Sequence, residues 1–90
     1  SHLPLTRPVW LLREPQPLGE HGGLPQWRGR PLPLLAGPER IEAGWWDGAP
    51  VARDYYVADA GEGALVWVYR LRLPQQAAAG SGWFLQGRFG

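Results

Sequence analysis

The clearest pattern in the chain is the alternation of side chains between residues 64 and 73. Successive side chains of a β-strand point to opposite faces, so odd-numbered residues share one face and even-numbered residues the other. The odd face carries aromatic and aliphatic side chains from Leu65 to Leu73, whereas the even face ends in Arg70 and Arg72. The pattern predicts a strand whose odd face lies in the core.

A hairpin partner for this strand is predicted immediately before it. Residues 51–59 also alternate, and the connection 59–63 supplies the acid and glycines that short β-turns use. With a loop at 60–62, Tyr55 lies opposite Trp67, and Asp54 lies diagonal to Arg70, within reach of an ion pair.

Proline and glycine, which interrupt helices, occur throughout the chain. The ten prolines and thirteen glycines leave no window long enough for an amphipathic helix. Residues 40–46 alternate before an Asp47-Gly48 turn, and 8–12 and 83–89 are predicted terminal strands. Trp83, Leu85 and Phe89 share one face of the last strand. Residues 32–36 form a weaker strand, which flanking prolines confine to a sheet edge. Flexible loops are predicted near 15–23 and 74–82.

These elements predict an all-β fold: a small single-domain barrel or sandwich of about five to six short, mostly antiparallel strands with no long helix. One domain is predicted over residues 3–90, because Ser1-His2 is typical of a remnant left by tag cleavage. The predicted core consists of Ile41, Trp45, Tyr55, Val57, Leu65, Trp67 and Tyr69.

Two adjacent tryptophans, Trp45 and Trp46, raise the question of where the second indole lies. Neighbours on a strand face opposite ways, so both can be buried only if both faces of the strand are covered. Otherwise Trp46 is partly exposed and belongs to a surface whose residue types dominate protein–protein hot spots. The predicted partner-binding residues are Arg40, Trp46, Asp47, Asp54, Tyr56, Arg70 and Arg72.

Composition limits the partners that the domain can bind. All nine basic residues are arginine, and eight acids reduce the net charge to +1, far from the excess that gripping a phosphate backbone requires. Arginine and aromatic side chains nevertheless bind single-stranded nucleic acid by stacking, which remains the alternative. The lack of cysteine and of any apolar run of roughly 20 residues predicts a cytoplasmic protein without disulfides.

Candidate catalytic residues are few. His21 lies in the GEHGG segment, whose composition predicts a solvated loop, and neither serine lies beside a histidine. Glu39 and Glu42 are read as solvated rim acids, because a domain this small has little space for a cleft between paired carboxylates. The chain is therefore predicted not to be an enzyme, with no catalytic, metal-binding or cofactor-binding residues.

Four blocks of sequence resemble a known family in their order and spacing. These blocks are GPERIEAGWWDG, VARDYYVA, GALVWVYR and WFLQGRFG. They are similar to the extreme C-terminal region of ImuB proteins, which are catalytically degenerate relatives of bacterial Y-family translesion polymerases. The resemblance covers nearly the whole chain after Ser1-His2. It is most specific in residues 37–48 and 53–57 and is absent from 74–80.

The resemblance implies a role in assembling the SOS mutagenesis complex. ImuB proteins join ImuA, a RecA-like partner, to an error-prone homologue of the replicative polymerase and to the sliding clamp. No clamp-binding peptide of the Q-x-x-L-F type is evident here. The expected function is thus docking of a partner protein, in the cytoplasm and at the nucleoid when in complex, with no membrane or small-molecule partner.

Overall fold

In the computed structural model, the described residues are Pro8, 10–43, 51–72 and 80–89, and every regular element among them is a β-strand. The strands in chain order are β1 (Trp10–Pro17), β2 (Gly19–His21), β3 (Leu24–Trp27), β4 (Arg30–Pro31), β5 (Leu34–Ala43), β6 (Val51–Gly61), β7 (Ala64–Leu71) and β8 (Trp83–Arg88).

The strands form two antiparallel sheets. The larger has the order β1-β8-β7-β6-β5, and the smaller has the order β2-β3-β4. The prediction of a small, antiparallel all-β fold is confirmed as a sandwich-like arrangement, and the described ranges alone contain eight strands instead of the predicted five to six. Strand β7 lies at the centre of the larger sheet, and β1 and β5 lie at its edges.

Both faces of β7 are buried, which corrects the prediction that only its odd face enters a core. Val66 and Val68 on the even face are 4% and 0% exposed. Trp67 and Tyr69 on the odd face are 6% and 3% exposed. The strand therefore contributes alternate side chains to two separate hydrophobic clusters.

The first core joins the two sheets. Leu18 and Leu32, which flank the smaller sheet, pack with Val66 and Val68, and Trp27 of β3 packs against the same cluster. Backbone hydrogen bonds secure the join: Leu18 N–H donates to the Trp83 carbonyl at 2.9 Å.

The second core is aromatic and covers the opposite face of the larger sheet. The rings of Tyr55 and Trp67 stack with centroids 4.1 Å apart, and those of Tyr69 and Phe84 stack at 5.1 Å. Offset stacking adds to the burial energy of such rings. Ile41 and Phe89 pack around them.

The register of the β6–β7 hairpin is displaced by two residues from the predicted one. Tyr55 lies opposite Tyr69, Val57 lies opposite Trp67, and the turn sits at Glu62-Gly63. The Asp59 carboxylate accepts a 2.7 Å hydrogen bond from Gly61 N–H, beside a register shift between these two residues. This irregularity, a β-bulge, extends β6 beyond the predicted loop start, and the even shift preserves which side chains share a face.

Two segments differ from their predicted assignments. The predicted loop 15–23 contains the end of β1 and all of β2, because Gly22 and Gly23, both at positive φ, confine the turn to two residues. Residues 32–36 and 40–46 were predicted as separate strands. In the structure, residues 34–36 and 40–43 belong to one strand, β5, which has register shifts around Gly37. Leu32 and Pro33 precede this strand. Trp45, Trp46 and residues 74–79 lie outside the described residues.

The face predicted for Phe89 is wrong. Trp83 and Leu85 enter the first core, but Phe89 packs in the second. Val68 pairs with Leu85 while Trp67 pairs with Gly87, so Gln86 is an extra residue on β8. A bulge of one residue reverses the alternation beyond it.

Strand β1 approaches β8 closely at Gly87. A Cβ atom placed on Gly87 would collide with the backbone carbonyl oxygen of Trp10. Any larger residue there would push the edge strand away from the sheet.

Trp67→Ala is expected to lower the free energy of unfolding by about 3–5 kcal/mol, because it removes a stacked, buried ring. The matched control Trp10→Ala, at a residue 58% exposed, is expected to cost less than about 1 kcal/mol. Urea denaturation measures both. Equal losses for the two variants would contradict the assigned burial.

Gly87→Ala is expected to destabilise the domain by about 1–3 kcal/mol, since the new methyl group meets backbone that must shift. In Gly19→Ala the nearest atom is Gln26 Oε1 at 3.3 Å, the far end of a flexible side chain. That control is expected to change stability by less than about 1 kcal/mol in the same assay. A harmless Gly87→Ala would show that β1 does not lie against β8 as described.

Candidate functional site

Three of the predicted partner-binding residues form one row across the larger sheet. Arg40 on β5 pairs in register with Asp54 on β6, which in turn pairs with Arg70 on β7. Arg72 follows two residues later. We call these four residues the charged ladder. Trp46 and Asp47, also predicted for this surface, lie outside the described residues.

Asp54 is the centre of the charged ladder. Its carboxylate lies 3.2 Å from Arg40 Nε and 3.8 Å from Arg72 Nη1, and its side chain is only 17% exposed. The predicted ion pair with Arg70 is replaced by the one with Arg72, because the two-residue change in register moves Arg72 to the diagonal position. The acid is thus already paired within the domain.

Arg70 instead links the two sheets. Its Nη2 lies 3.7 Å from Glu20 Oε2 on β2, and the same carboxylate oxygen accepts a 3.4 Å hydrogen bond from Trp83 Nε1. The Arg70 guanidinium also lies 5.5 Å from the centre of the Trp83 ring. Arg70 is therefore held within the domain by Glu20 and by the Trp83 ring.

Tyr56, which was predicted to belong to the partner-binding surface, packs against the core. The side chain is half-buried and packs against the first core, 5.4 Å from the Trp83 ring centre. The reason is that the smaller sheet covers part of the face on which Tyr56 lies. The predicted surface therefore retains charged residues but loses this ring.

A second surface, which the sequence-based prediction missed, lies at the β1 edge. A groove of about 440 Å³ opens there, and we call it the Trp10 groove. Its apolar lining consists of Trp10, Leu11, Leu12, Trp27, Val66 and Leu85. Three consecutive residues of β1 in this lining are 58%, 62% and 39% exposed. Solvent-exposed clusters of this kind mark interaction sites.

The course of β1 shapes this groove. Leu11 pairs with Gly87 and Gln16 pairs with Leu85, so four residues of β1 stand opposite the single residue Gln86. Residues 12–15 therefore depart from β8, and all but Pro15 are exposed. A sequence signal was present: the run Trp10-Leu11-Leu12 cannot place all its side chains on one face of a strand.

Two arginines stand at the rim of the Trp10 groove. Arg28 lies 4.3 Å from the centre of the Trp27 ring, and Arg88 lies 5.9 Å from that of Trp10. Neither is paired with a carboxylate in the described part of the chain. The groove thus combines an apolar interior with two cations held by cation–π contacts.

A neighbouring depression of about 400 Å³ shares Trp27 and Arg28 with the Trp10 groove. Arg30, Pro33 and Asp59 contribute to its remaining walls. Trp27 therefore lines both concave surfaces.

A chain of polar groups crosses the aromatic second core. Arg53 Nη1 donates a 3.1 Å hydrogen bond to the Tyr55 hydroxyl, which donates to Gln86 Oε1 at 3.3 Å. The Arg53 guanidinium lies 4.5 Å from the Tyr69 ring centre. Burial raises the pKa of Tyr69 above 10.0, and the positive charge of Arg53 opposes that shift.

The described residues offer little for metal binding. Across 10–43, 51–72 and 80–89, no three His, Cys, Asp or Glu side chains are grouped so as to hold a metal ion. His21 is exposed at the end of β2. In that same part of the chain there is no helix that could span a membrane.

No protein-family profile matches the chain, and neither a curated protein nor a solved structure shows significant similarity to it.

Asp54→Asn is expected to lower the free energy of unfolding by about 0.2–1 kcal/mol for each of its two ion pairs, since both arginines are half-exposed. The loss should shrink in about 1 M salt, where the Debye length is about 3 Å. Glu42→Gln removes the same charge from an exposed site on β5 and is the control. A salt-independent loss would contradict an electrostatic role for Asp54.

Proposed function

We propose that the chain is a non-catalytic docking module of an ImuB-type protein, which helps to assemble the damage-induced translesion synthesis complex. Its partners would be an ImuA-type RecA-like protein and an error-prone homologue of the replicative polymerase. The module would act in the cytoplasm and at the nucleoid once the complex has formed. The sequence blocks that resemble the C-terminal region of ImuB proteins supply the identity of these partners.

The observation that carries the docking role is the Trp10 groove. Leu11, at 62% exposure, and Trp10, at 58%, are large apolar side chains that a stable small domain gains nothing by exposing. Arg28 and Arg88 lie beside them without carboxylate partners in the described ranges. Tryptophan and arginine are the residues most enriched at protein–protein hot spots.

The charged ladder supports the proposal less strongly. Its acid, Asp54, is engaged by Arg40 and Arg72, and Arg70 is engaged by Glu20. Such groups can steer a charged partner toward the domain, but they offer no apolar surface to bury. The ladder would therefore act on the rate of association more than on affinity.

One observation favours single-stranded nucleic acid as the alternative partner. The Arg28–Trp27 and Arg88–Trp10 pairs resemble the aromatic and cationic platforms on which bases stack. Against it, the net charge is only +1, whereas gripping a nucleic acid backbone requires several cations in a row.

The purified chain, immobilised on a resin, is expected to capture purified ImuA-type protein or the error-prone polymerase homologue. A single-stranded oligonucleotide is expected to bind only weakly when titrated in parallel at about 50 and 200 mM salt. Steep, salt-dependent DNA binding without capture of either protein would favour the alternative and refute the docking proposal.

A further inference from the structure

The Trp10 groove has a chemistry specific enough to define its occupant. We propose that it receives one bulky apolar side chain of an extended partner segment, which carries carboxylates on both sides of that residue. The inference rests on the proposed docking function and adds the place of contact and the class of peptide recognised.

The apolar half of the inference follows from the groove interior. Leu85 and Val66 are 6% and 4% exposed and form a pre-packed floor, while Leu11 and Leu12 are exposed at the edge. The volume of about 440 Å³ lies within the range of pockets that enclose small ligands. An inserted Leu, Phe or Trp side chain would cover aliphatic and indole surface that water now contacts.

The acidic half follows from the unbalanced charge at the rim. Arg28 and Arg88 line the groove, and no carboxylate of the described residues lines it. On the charged ladder, by contrast, Arg40 and Arg72 lie beside Asp54, and Arg70 lies beside Glu20. The two rim guanidinium groups are preorganised by their tryptophans, so carboxylates from a partner would complete pairs that the domain leaves open.

A peptide fits these observations better than a nucleic acid strand does. Bases stack on open aromatic faces, and a guanidinium group already covers one face of each tryptophan ring, which leaves less ring surface for stacking. Two cations can neutralise only two phosphates, and the groove interior is largely aliphatic, which suits a hydrophobic side chain. Strand β1 is also an edge of the larger sheet, where an extended segment can approach from the side.

The first test uses fluorescein-labelled seven-residue peptides with a central Leu, Phe or Trp, flanked on each side by Asp and Glu. Matched peptides carry Lys at the flanking positions. Fluorescence anisotropy is expected to show binding of the acidic set about tenfold or more tighter than the Lys set, with the difference decreasing as salt is added. Equal binding of the two sets, or no binding of either, would overturn the inference.

The second test reverses the charge at the rim. The double variant Arg28→Glu/Arg88→Glu is expected to lose affinity for the acidic peptides and to gain it for the Lys peptides. Arg13→Glu, which reverses the charge of an exposed arginine that does not line the groove, is the control and should retain the wild-type preference. A double variant that keeps the acidic preference would place the peptide elsewhere.

The third test concerns the apolar contact. Leu11→Ser is expected to weaken binding of the acidic Leu, Phe and Trp peptides about tenfold, while Leu35→Ser, at a residue 56% exposed on the opposite edge strand, leaves it unchanged. Both sites are exposed, so both variants should unfold at the wild-type temperature. An effect of Leu35→Ser equal to that of Leu11→Ser would refute the assigned groove.

Failure of this inference can be told apart from failure of the proposed function. If the wild-type chain captures a mutasome protein and Arg28→Glu/Arg88→Glu captures it equally well, docking stands and the groove assignment is wrong. If the wild-type chain captures no mutasome protein but selects acidic peptides through Arg28 and Arg88, the groove assignment stands and the proposed partners are wrong.

Discussion

The two-sided burial of β7 is the constraint on which the rest of the structure depends. Val66 and Val68 face a core that the smaller sheet closes, while Trp67, Tyr69 and Leu71 face a separate aromatic core. A 90-residue chain hides only about 60–65% of its unfolded surface, so it has little stability to spare. Because β7 lies between the two cores, its alternate side chains contribute to the packing of both. Irregularities at Gly61 and Gln86 then adjust the neighbouring strands to these two surfaces.

Because the central strands are used on both faces, the outer strands are where the domain can present a binding surface. The two edges of the larger sheet differ. Asp54, which pairs with β5, satisfies its charge within the domain, whereas β1 leaves β8 after Leu11 and exposes three apolar side chains. Gly87 has no Cβ atom and so allows the Trp10 backbone to lie close to β8, just before β1 leaves that strand. The Trp10 groove is therefore a consequence of how the edge strand is attached, and its rim arginines are held by aromatic contacts and not by acids.

Local periodicity predicted the all-β class and much of the aromatic core, because the two-residue repeat of a strand can be recognised from residues that are adjacent in sequence. Tyr55, Trp67 and Tyr69 are buried as expected. What could not be predicted depends on contacts distant in sequence. Val66 and Val68 are covered by Leu18 and Leu32, whose surroundings are rich in proline and glycine. The extra residue Gln86 moved Phe89 to the other face, and a turn at Glu62-Gly63 combined with the bulge before Gly61 displaced the hairpin register by two. The run Trp10-Leu11-Leu12 indicates only that its side chains cannot share one face; that all three are exposed depends on β1 being an edge strand, which local periodicity does not predict.

The proposed function combines this geometry with the resemblance of four sequence blocks to ImuB proteins, and it assigns docking to the β1 edge. Hydrogen–deuterium exchange on the chain, alone and saturated with the partner protein that it captures, tests this claim most directly. New protection of backbone amides is expected at Trp10–Leu12, Trp27–Arg28 and Gly87–Arg88, with little change along β5. Protection confined to β5 and the charged ladder, with an unchanged β1 edge, would contradict it.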